Sequence, residues 1–337
     1  MSKEIAILYS AEQIGRTAWD KLIEQSPVAS WFQTPEAYSF FDSLSFFEAF
    51  CIAVENNGVL KGVAVGYIQK DGGRLKQFFS RRAIINGGPL LATDITDEEL
   101  TALLTATIDV LRRKAIFVET RNFNDYRHWH DIFEVSGLAY EPHYDIWVDT
   151  TSMEVVNDHL GKSRKRDIRV SMRDGASLVV RPTLEQVRAY YAILLDLYVT
   201  KVKTPLPPVE YFEKLYETPS SVFLLVEYGG NIVGGTVCVG LVGRVLYEMY
   251  ACGRDGEFKN IFPSELATFA GLQYAAENGY ACFDMMGAGK PDDGGYGVRD
   301  FKLKFGGKLV EHGRFRHVCN PLLYKTGTIG VKILKKL

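Results

Sequence analysis

The stretch GVRDFKLKFGGK, residues 297–308, crowds four cationic side chains around two phenylalanines and a pair of glycines. Apolar residues alternate with polar or small ones from Phe301 to Gly306, and this period of two predicts a strand whose polar face lies in water. Alternatively, one of the lysines faces a site where negative charge develops during a reaction. A fixed cation at such a site lowers the barrier by a few kcal/mol.

A second concentration of charge lies in GKSRKRDIRVSMRDG, residues 161–175. The spacing predicts a helix that Ser163 caps and Gly175 ends, with Ile168 and Met172 facing inward. Its outward face would carry Arg166, Arg169 and Arg173. Arginine binds phosphate through a planar fork of donors, which favours an anion-binding surface. A solvated helix face that serves solubility is the alternative, and the sequence leaves both open.

Three further segments combine loop signals with polar side chains. YVTKVKTPLPPVEYF, residues 198–212, places two lysines beside a proline-rich turn that cannot continue a helix, so it predicts a loop bordering a ligand or a plain surface connector. YEMYACGRDGEFKN and CFDMMGAGKPDDGGYG leave buried-looking strands and enter glycine-rich turns, where α/β sheets commonly open to ligands. Asp284 could equally be a satisfied core carboxylate or a site residue. The polar groups expected at these strand ends are Tyr247, Glu248, Tyr250 and Asp284.

These segments must be positioned by a fold, and the chain contains a repeat that predicts it. VENNGVLKGVAVGYI at residues 54–68 and VEYGGNIVGGTVCVGLV at residues 226–242 both read as strand, glycine turn, strand. Each is followed by a strand, a helix and a strand: LKQFFS, ITDEELTALLTATIDVLRRK and AIFVETR in the first half, and RVLYEMYACG, PSELATFAGLQYAAENG and ACFDMMG in the second. A hairpin that leads into a β-α-β crossover predicts a mixed α/β sheet flanked by helices.

The two helices of the repeat carry clear terminal signals. Thr96 and Glu99 have the spacing of a capping box, and the first helix then presents a leucine- and isoleucine-rich stripe above basic residues. The second begins near Pro263 and stops at Gly279, which supplies a left-handed cap. We therefore expect an α/β (α+β) protein of two tandem domains, residues 1–150 and 151–337, with a C-terminal tail that could pack back on the first domain.

Composition narrows the class of protein. The 337 residues are 47% hydrophobic with a formal net charge of −2, which predicts an ordinary globular protein and disfavours one that coats nucleic acid indiscriminately. The five cysteines show no metal-ligand spacing, and His128 and His130 lack a nearby third ligand, so no metal site is expected. No secretory leader or membrane span is apparent, which favours the cytoplasm with at most peripheral membrane contact.

The segment GVRDFKLKFGGKLVEHGRF resembles the FK-x-x-FGG segment of the FemA/FemB/FemX family and its relatives, the BioF2-like acetyltransferases. WFQTPEAY at residues 31–38, IINGGPLL at 84–91, RKRDIRVSMRDG at 164–175 and PLPPVEYF at 205–212 also resemble family segments, in family order. The resemblance implies two domains similar to the GNAT fold and transfer of an acyl group from an activated ester to an amine. It further implies that Lys302 is the cation beside the developing oxyanion, and that Phe301 positions it through its backbone.

The sequence also departs from that family. The lysine that follows the N-terminal Q-x-x-E segment in nucleotide-binding members is missing where Glu36 leads into AYSFFDSL, which puts recognition of a UDP-linked precursor in doubt. The loop CGRDGEFKN lacks the pyrophosphate pattern of ordinary GNAT enzymes, and no coiled-coil insertion of the tRNA-using kind is present.

We therefore predict an N-acyltransferase that acts on an amine of a cell-envelope precursor or an amino sugar by direct attack. No serine, cysteine or histidine stands in a nucleophile motif. Acyl-CoA is the favoured donor because Lys201, Lys203 and residues 253–260 could supply a compact phosphate patch, with no permanently bound cofactor expected. Aminoacyl-tRNA is the alternative donor. Two other classes of protein stay open: a non-catalytic binding module and a nucleic-acid-binding protein. DNA is not expected as a partner.

The candidate residues follow from these arguments. Lys302 and Phe301 are the catalytic candidates, and Glu248 or Asp284 is the candidate general base. The candidate substrate-binding residues are Arg164, Arg166, Arg169, Lys201, Lys203, Tyr250, Asp284, Gly287 and Lys304.

Overall fold

The computed structural model of the protein describes residues 4–70, 81–294 and 297–334. The chain divides into two compact units, Met1–Pro142 with His312–Leu337 and His143–Glu311. This division differs from the expected boundary at residue 150. A strand at Tyr144–Asp149 pairs within the sheet of the second unit, and a strand at Arg314–Val318 pairs within that of the first.

The first unit is built on a mixed sheet. Its described strands are β1 Ile5–Leu8, β2 Phe47–Asn56, β3 Val59–Gln69, β4 Arg82–Gly87, β5 Leu90–Leu91, β6 Phe117–Asn122, β7 Ala139–Glu141 and, later in the chain, β15 Arg314–Val318. Their order is β1-β2-β3-β4-β6-β15-β7, with β5 paired to β3. Among these described strands the β4·β6 pair is parallel and the others are antiparallel.

Six helices of the described chain belong to this unit: α1 Ala11–Ile14, α2 Arg16–Gln25, α3 Pro35–Asp42, α4 Asp97–Leu111, α5 His130–Val135 and, near the C-terminus, α12 Pro321–Leu334. Helix α4 connects the parallel strands β4 and β6, as the repeat predicts. Its capping box is present, since the Glu99 amide donates to Thr96 Oγ1 at 3.3 Å and the Thr96 amide donates to Glu99 Oε2 at 2.9 Å. The basic residues follow the last helical residue rather than forming its last turn.

The second unit repeats this plan. Its strands are β8 Tyr144–Asp149, β9 Ser177–Val179, β10 Ser221–Tyr228, β11 Asn231–Gly240, β12 Val245–Gly253, β13 Cys282–Asp284 and β14 Lys308–Glu311, in the order β14-β8-β13-β12-β11-β10-β9. Here β12 and β13 are the parallel pair. Its helices in the described chain are α6 Met153–His159, α7 Lys162–Arg173, α8 Leu184–Leu197, α9 Val209–Glu217, α10 Pro263–Glu277 and α11 Gly297–Leu303.

The hairpins of the two units share a β-bulge at the same position. A register shift lies between Val54 and Glu55 in the β2·β3 pair, and another lies between Val226 and Glu227 in the β10·β11 pair. A β-bulge at the same Val-Glu step of both hairpins confirms the predicted tandem architecture. The predicted strand LKQFFS, residues 75–80, lies outside the described residues.

Helix α10 closes the crossover of the second unit. Leu266 and Leu272 are fully buried in the core of this unit, and Gly279 adopts φ +77° just after the helix ends. Only glycine adopts that conformation without strain, so the predicted left-handed cap is present.

Three local predictions were wrong. Helix α7 begins after Gly161 rather than at a Ser163 cap, and Met172 is exposed although Ile168 is buried. The inward face is instead completed by polar side chains, because Asp167 and Ser171 find partners there. The segment Tyr198–Val202 forms a π-helical turn that extends α8, rather than a loop.

Within the described residues, no helix combines the length and the apolar character needed to cross a membrane.

Candidate active site

The FK segment is helical, and the strand predicted from its alternation was wrong. Helix α11 covers Gly297–Leu303, a turn follows, and β14 begins at Lys308. Phe301 and Phe305 are four residues apart, which is one helical turn, and their ring centroids lie 5.3 Å apart. Phe305 is fully buried and Phe301 packs against the same core. The two phenylalanines anchor the helix and leave Lys302 to face a different neighbour.

That neighbour is the segment that follows β13. Lys302 Nζ donates to the carbonyl oxygens of Met285 at 2.5 Å, Met286 at 2.6 Å and Gly287 at 3.2 Å. An ammonium group has three protons, so this arrangement engages all of them. Lys302 is therefore not the solvated strand lysine of the sequence-based alternative.

Arg299, one turn earlier on α11, holds the continuation of the same segment. Its Nε donates to the Ala288 carbonyl at 2.7 Å, and its Nη2 donates to the Lys290 carbonyl at 2.8 Å. Two cations of one helix thus hold the backbone carbonyls of residues 285–288 and 290. Charge-assisted hydrogen bonds are stronger than neutral ones, so the segment is held firmly.

The backbone of this segment adopts an unusual conformation. Met286 has φ +50° and Gly287 has φ +26°. A positive φ is costly for methionine and persists only where surrounding contacts impose it. The contacts from Lys302 and Asp284 impose it here, since Asp284 Oδ1 accepts from the Met286 amide at 2.7 Å.

Buried carboxyl groups surround the lysine. Asp284 is fully buried, and its Oδ2 accepts from Trp147 Nε1 at 3.0 Å. Burial raises the pKa of Asp284 well above its usual value, and the nearby Asp145 raises it further, while the hydrogen bonds and Lys302 oppose the change. Asp284 therefore keeps its proton at a pH where an exposed aspartate has lost it.

Glu248 lies in the middle of β12 rather than at the strand end, where the sequence placed it. Its side chain is buried beside two threonines, Thr236 and Thr268. Burial raises the pKa of Glu248, and Lys302 opposes this. Burial lowers the pKa of Lys302, while the charges of Glu248, Asp284 and Asp145 oppose that change. The site thus couples one half-buried ammonium group to acids that ionise less readily than usual.

Arg164 is also part of this neighbourhood, although as a buried residue. It donates to Glu265 Oε1 at 2.8 Å and lies 3.5 Å from Asp167 Oδ2. Its guanidinium carbon is 4.5 Å from the centroid of the Phe301 ring, a cation–π geometry. Arg164 therefore ties α7 and α10 to α11. Its predicted contact with a substrate stays a prediction.

Other predicted residues lie elsewhere in the second unit. Arg169 and Lys304 are exposed, and Arg166 is largely exposed while donating to Asp167. Lys203 is exposed with φ +55°. Tyr250 packs in a ring cluster, 5.1 Å from Phe212 by centroid.

Lys201 lines a separate groove of about 400 Å³. This groove lies between the end of α8 and the loop after β12, so it includes part of the loop predicted to bind CoA. Its lining residues are Ile193, Asp196, Leu197, Thr200, Lys201, Gly253, Arg254, Asp255 and Glu257. Three carboxylates against two cations make it more acidic than a phosphate site would be.

Sequence reasoning missed several members of the site. Asp145 and Trp147 lie on β8, which the expected boundary assigned to the first domain, whereas the register Asp284↔Trp147 places β8 beside β13. Arg299 was visible only as one charge among several. The helical spacing of Phe301 and Phe305 was the signal that could have placed Arg299 and Lys302 on one helix face.

The site contains no evident nucleophile or metal centre within the described chain. All five cysteines are free, and burial raises the pKa of Cys51 to about 12, so its thiolate is disfavoured. No group of three or more His, Cys, Asp or Glu side chains in the described ranges is placed to hold a metal ion.

Comparisons with known proteins define the class of the fold. The chain is similar to a tandem GNAT protein from the clavulanic acid biosynthesis pathway, with 12% identity, 94% of this chain and 99% of that chain covered, and a TM-score of 0.61. It is also similar to L-PGS from Bacillus licheniformis, with 14% identity, 95% and 97% coverage and a TM-score of 0.58. These likenesses confirm the predicted fold of two tandem GNAT-like domains.

A second comparison concerns the C-terminal part of the chain. The FemAB family model matches residues 232–332, a range that includes β12, α10 and α11. The structure titled "Crystal structure of FemX" is similar at 14% identity, with 95% of this chain and 99% of that chain covered and a TM-score of 0.72. Among curated proteins no relative matches the chain. The match confirms the FemAB resemblance for residues 232–332, and the likeness to FemX confirms the fold.

Proposed function

We propose that the protein transfers an acyl or aminoacyl group from an activated ester or thioester to an amine of a cell-envelope precursor or an amino sugar. The observation that carries this proposal is the half-buried ammonium group of Lys302, held against the strained turn at residues 285–287 beside Glu248 and Asp284. A fixed charge beside a distorted backbone turn is typical of a site that stabilises a transition state.

Gly287 links this charge to the reacting carbonyl. The Met286 carbonyl, which accepts from Lys302, belongs to the same peptide group as the Gly287 amide. A cation on the carbonyl polarises that peptide and makes its N–H a stronger donor. Gly287 is exposed, and among the described residues its amide has no hydrogen-bond partner. The Gly287 amide is thus the group that would donate to the oxyanion, while Lys302 acts through it.

Glu248 is the better candidate for the general base. The amine attacks the carbonyl carbon, the new C–N bond forms, and the C–O or C–S bond of the donor breaks. The ammonium proton passes to the Glu248 carboxylate, and the leaving alcohol or thiol takes a proton in turn. Burial raises the pKa of Glu248 and so makes its carboxylate a stronger base, whereas burial and Asp145 hold the pKa of Asp284 well above its usual value and favour its neutral form.

Two donors fit this chemistry. The sequence favours acyl-CoA, for which Lys201 and the loop after β12 would bind the phosphates. The groove lined by Lys201 and this loop is acidic, which favours the second candidate, aminoacyl-tRNA, because its phosphates would bind outside the groove. The exposed Arg166 and Arg169 on α7 would contact the phosphate backbone of the tRNA. A binding module without turnover remains the alternative from another class.

The test compares Lys302→Met with Arg299→Met, because both remove a cation that holds the same segment. Transfer is measured with acetyl-CoA and with charged tRNA against a panel of amines, together with the thermal midpoint. We expect Lys302→Met to lower kcat by about 100-fold or more. Arg299→Met should lower the midpoint at least as much yet keep most of the activity. Equal loss of activity in both variants would give Lys302 a purely structural role.

A further inference from the structure

The N-terminus of α10 adjoins the loop at residues 253–260, which the sequence favoured for the phosphates of CoA. The first amide groups of a helix lack partners within the helix, and they attract phosphates. Here the first position is Pro263, which has no N–H. The Ser264 amide donates to Asp255 Oδ1 at 3.1 Å, and the Glu265 amide bonds its own carboxyl group. The donors of this first turn are therefore missing or already used.

The loop also fills the space that a phosphate would need. Ser264 Oγ donates to Asp255 Oδ2 at 2.5 Å, so both oxygens of the carboxylate are bound to the helix. A Cβ atom added at Gly253 would lie 2.5 Å from the Ser264 nitrogen and 2.7 Å from Pro263 Cβ. The backbone at Gly253 thus lies directly against the first turn of α10, and glycine is required for that approach.

The charge around this terminus is already negative. Glu265 is balanced by Arg164, whose Nη1 lies 2.8 Å from Glu265 Oε1, whereas Asp255 adds a negative charge. The adjoining groove contains Asp196, Asp255 and Glu257 but only Lys201 and Arg254 as cations. Arg254 is itself 3.5 Å from Glu257. A diphosphate placed here would meet like charges with few compensating donors.

Given the proposed acyl transfer, on which this step rests, we propose that Asp255 is a specificity-determining residue that excludes pyrophosphate-bearing donors such as acyl-CoA from the groove beside α10. Its carboxylate takes the position and the hydrogen bonds that a phosphate would take. The donor is consequently an activated ester whose phosphates bind away from this helix terminus.

The experiment measures binding of free CoA by titration calorimetry, with pantetheine as the phosphate-free counterpart. Asp255→Gly removes the carboxylate and frees the Ser264 amide, and Asp255→Asn removes only the charge. Asp149→Asn is the matched control, since Asp149 is also exposed and accepts from the amide and hydroxyl of Thr151 in the same unit.

We expect the wild-type protein to bind CoA no more tightly than about 1 mM. Asp255→Gly should bind CoA about tenfold more tightly or better, with a smaller gain for Asp255→Asn. Pantetheine binding and the Asp149→Asn variant should show no such gain. Circular dichroism checks that both variants fold. Asp255→Asn keeps a side-chain acceptor for the Ser264 amide, so it still tests the proposal if Asp255→Gly unfolds.

Micromolar binding of CoA by the wild-type protein would overturn the proposal. Unchanged CoA affinity in both folded Asp255 variants, or an equal gain in the Asp149 control, would also overturn it. Because the readout is binding rather than turnover, these outcomes are separate from failure of the acyl-transfer proposal, which the Lys302 comparison addresses.

Discussion

Glu248 and Lys302 set the pH range in which the site can work. Glu248 must be ionised to accept a proton, and burial raises its pKa above the usual 4.5. Lys302 must be charged, and burial lowers its pKa below the usual 10.5. We expect kcat/KM to fall on the acid side as Glu248 gains its proton and on the alkaline side as Lys302 loses one. The measurement is the pH dependence of the transfer rate. A plateau narrower than the interval between the ordinary pKa values of glutamate and lysine would support the assignment.

Asp284 provides the matched control for Glu248. Burial raises the pKa of Asp284 well above its usual value, so Asp284→Asn keeps the size of the side chain and mimics its favoured neutral form. Glu248→Gln replaces the carboxylate of the proposed base with an amide, which cannot take up the proton. We expect Glu248→Gln to lower kcat by about 100-fold and to abolish the acid limb, while Asp284→Asn keeps that limb. An acid limb that survives in Glu248→Gln and disappears in Asp284→Asn would assign the base to Asp284.

Lys302 illustrates how the structure changes an expectation about stability. As an exposed strand lysine, it would matter little to the thermal midpoint. Its hydrogen bonds to three backbone carbonyls instead imply that Lys302→Met leaves acceptors unpaired, each costing about 1–3 kcal/mol where it is buried. We expect the midpoint of Lys302→Met to fall by several degrees in differential scanning calorimetry. An unchanged midpoint would show that solvent replaces the lysine at this segment.

At the scale of elements, Gly306 shapes the turn between α11 and β14. Gly306 adopts φ +87°, and a Cβ there would lie 2.5 Å from the His159 carbonyl oxygen. Gly306→Ala combines backbone strain with a clash against backbone atoms, so we expect it to cost about 2–4 kcal/mol in chemical denaturation. Gly297→Ala is the control, since its φ is unexceptional and nothing lies within 4 Å. Equal effects of the two substitutions would contradict this account of the turn.

The elements that could be predicted from sequence are those specified by local signals. Helices α4 and α10 were predicted correctly because a capping box, a proline start and a glycine stop act within a few residues. The hairpins were predicted because their turns and apolar strands are adjacent in the chain. Helix α11 was not, since FKLKF satisfies both a period of two and a spacing of four, and only the packing of Phe301 and Phe305 decides between them.

Strand partners were the least predictable part of the fold and the site. Strand β8 pairs with β13 and β14, and β15 pairs with β6 and β7, across long stretches of sequence. Such long-range pairings leave no local signal. The placement of Asp145 and Trp147 beside Asp284 therefore could not be inferred, whereas Lys302 was predicted through its resemblance to a family segment.

At the scale of the whole chain, Glu119 stabilises the first unit. It is almost fully buried between strands, and its oxygens accept from Arg121 at 2.8 Å and from Arg316 Nε at 2.9 Å. Burial opposes ionisation, but the charges of Arg121, Arg314 and Arg316 outweigh it and lower the pKa of Glu119 to about 2. Because the folded pKa lies below the usual 4.5, this stabilisation is complete above pH 4.5 and is lost as the pH falls towards 2.

This contribution is measurable by denaturation as a function of pH. The shift corresponds to about 3 kcal/mol in the free energy of unfolding at neutral pH. We expect Glu119→Gln to destabilise the first unit strongly at pH 7 and the difference from wild type to shrink as the pH approaches 2. Glu48, which pairs with Lys70 and Lys114 near the surface, is the control, and its Gln variant should cost about 1 kcal/mol or less. A pH-independent difference for Glu119→Gln would indicate a loss of packing instead.

Strand β15 has a consequence for how the protein is made. It lies between β6 and β7 in the first sheet, and β7 has no other strand partner in the described chain, yet β15 comes after the entire second unit in the sequence. On the ribosome, the second unit can close its sheet as soon as β14 has emerged. The first unit must wait with an open edge at β6 until residues 314–318 follow. The half that is synthesised first is thus completed last, and the nascent chain exposes a sheet edge that needs protection from aggregation throughout the translation of the second unit.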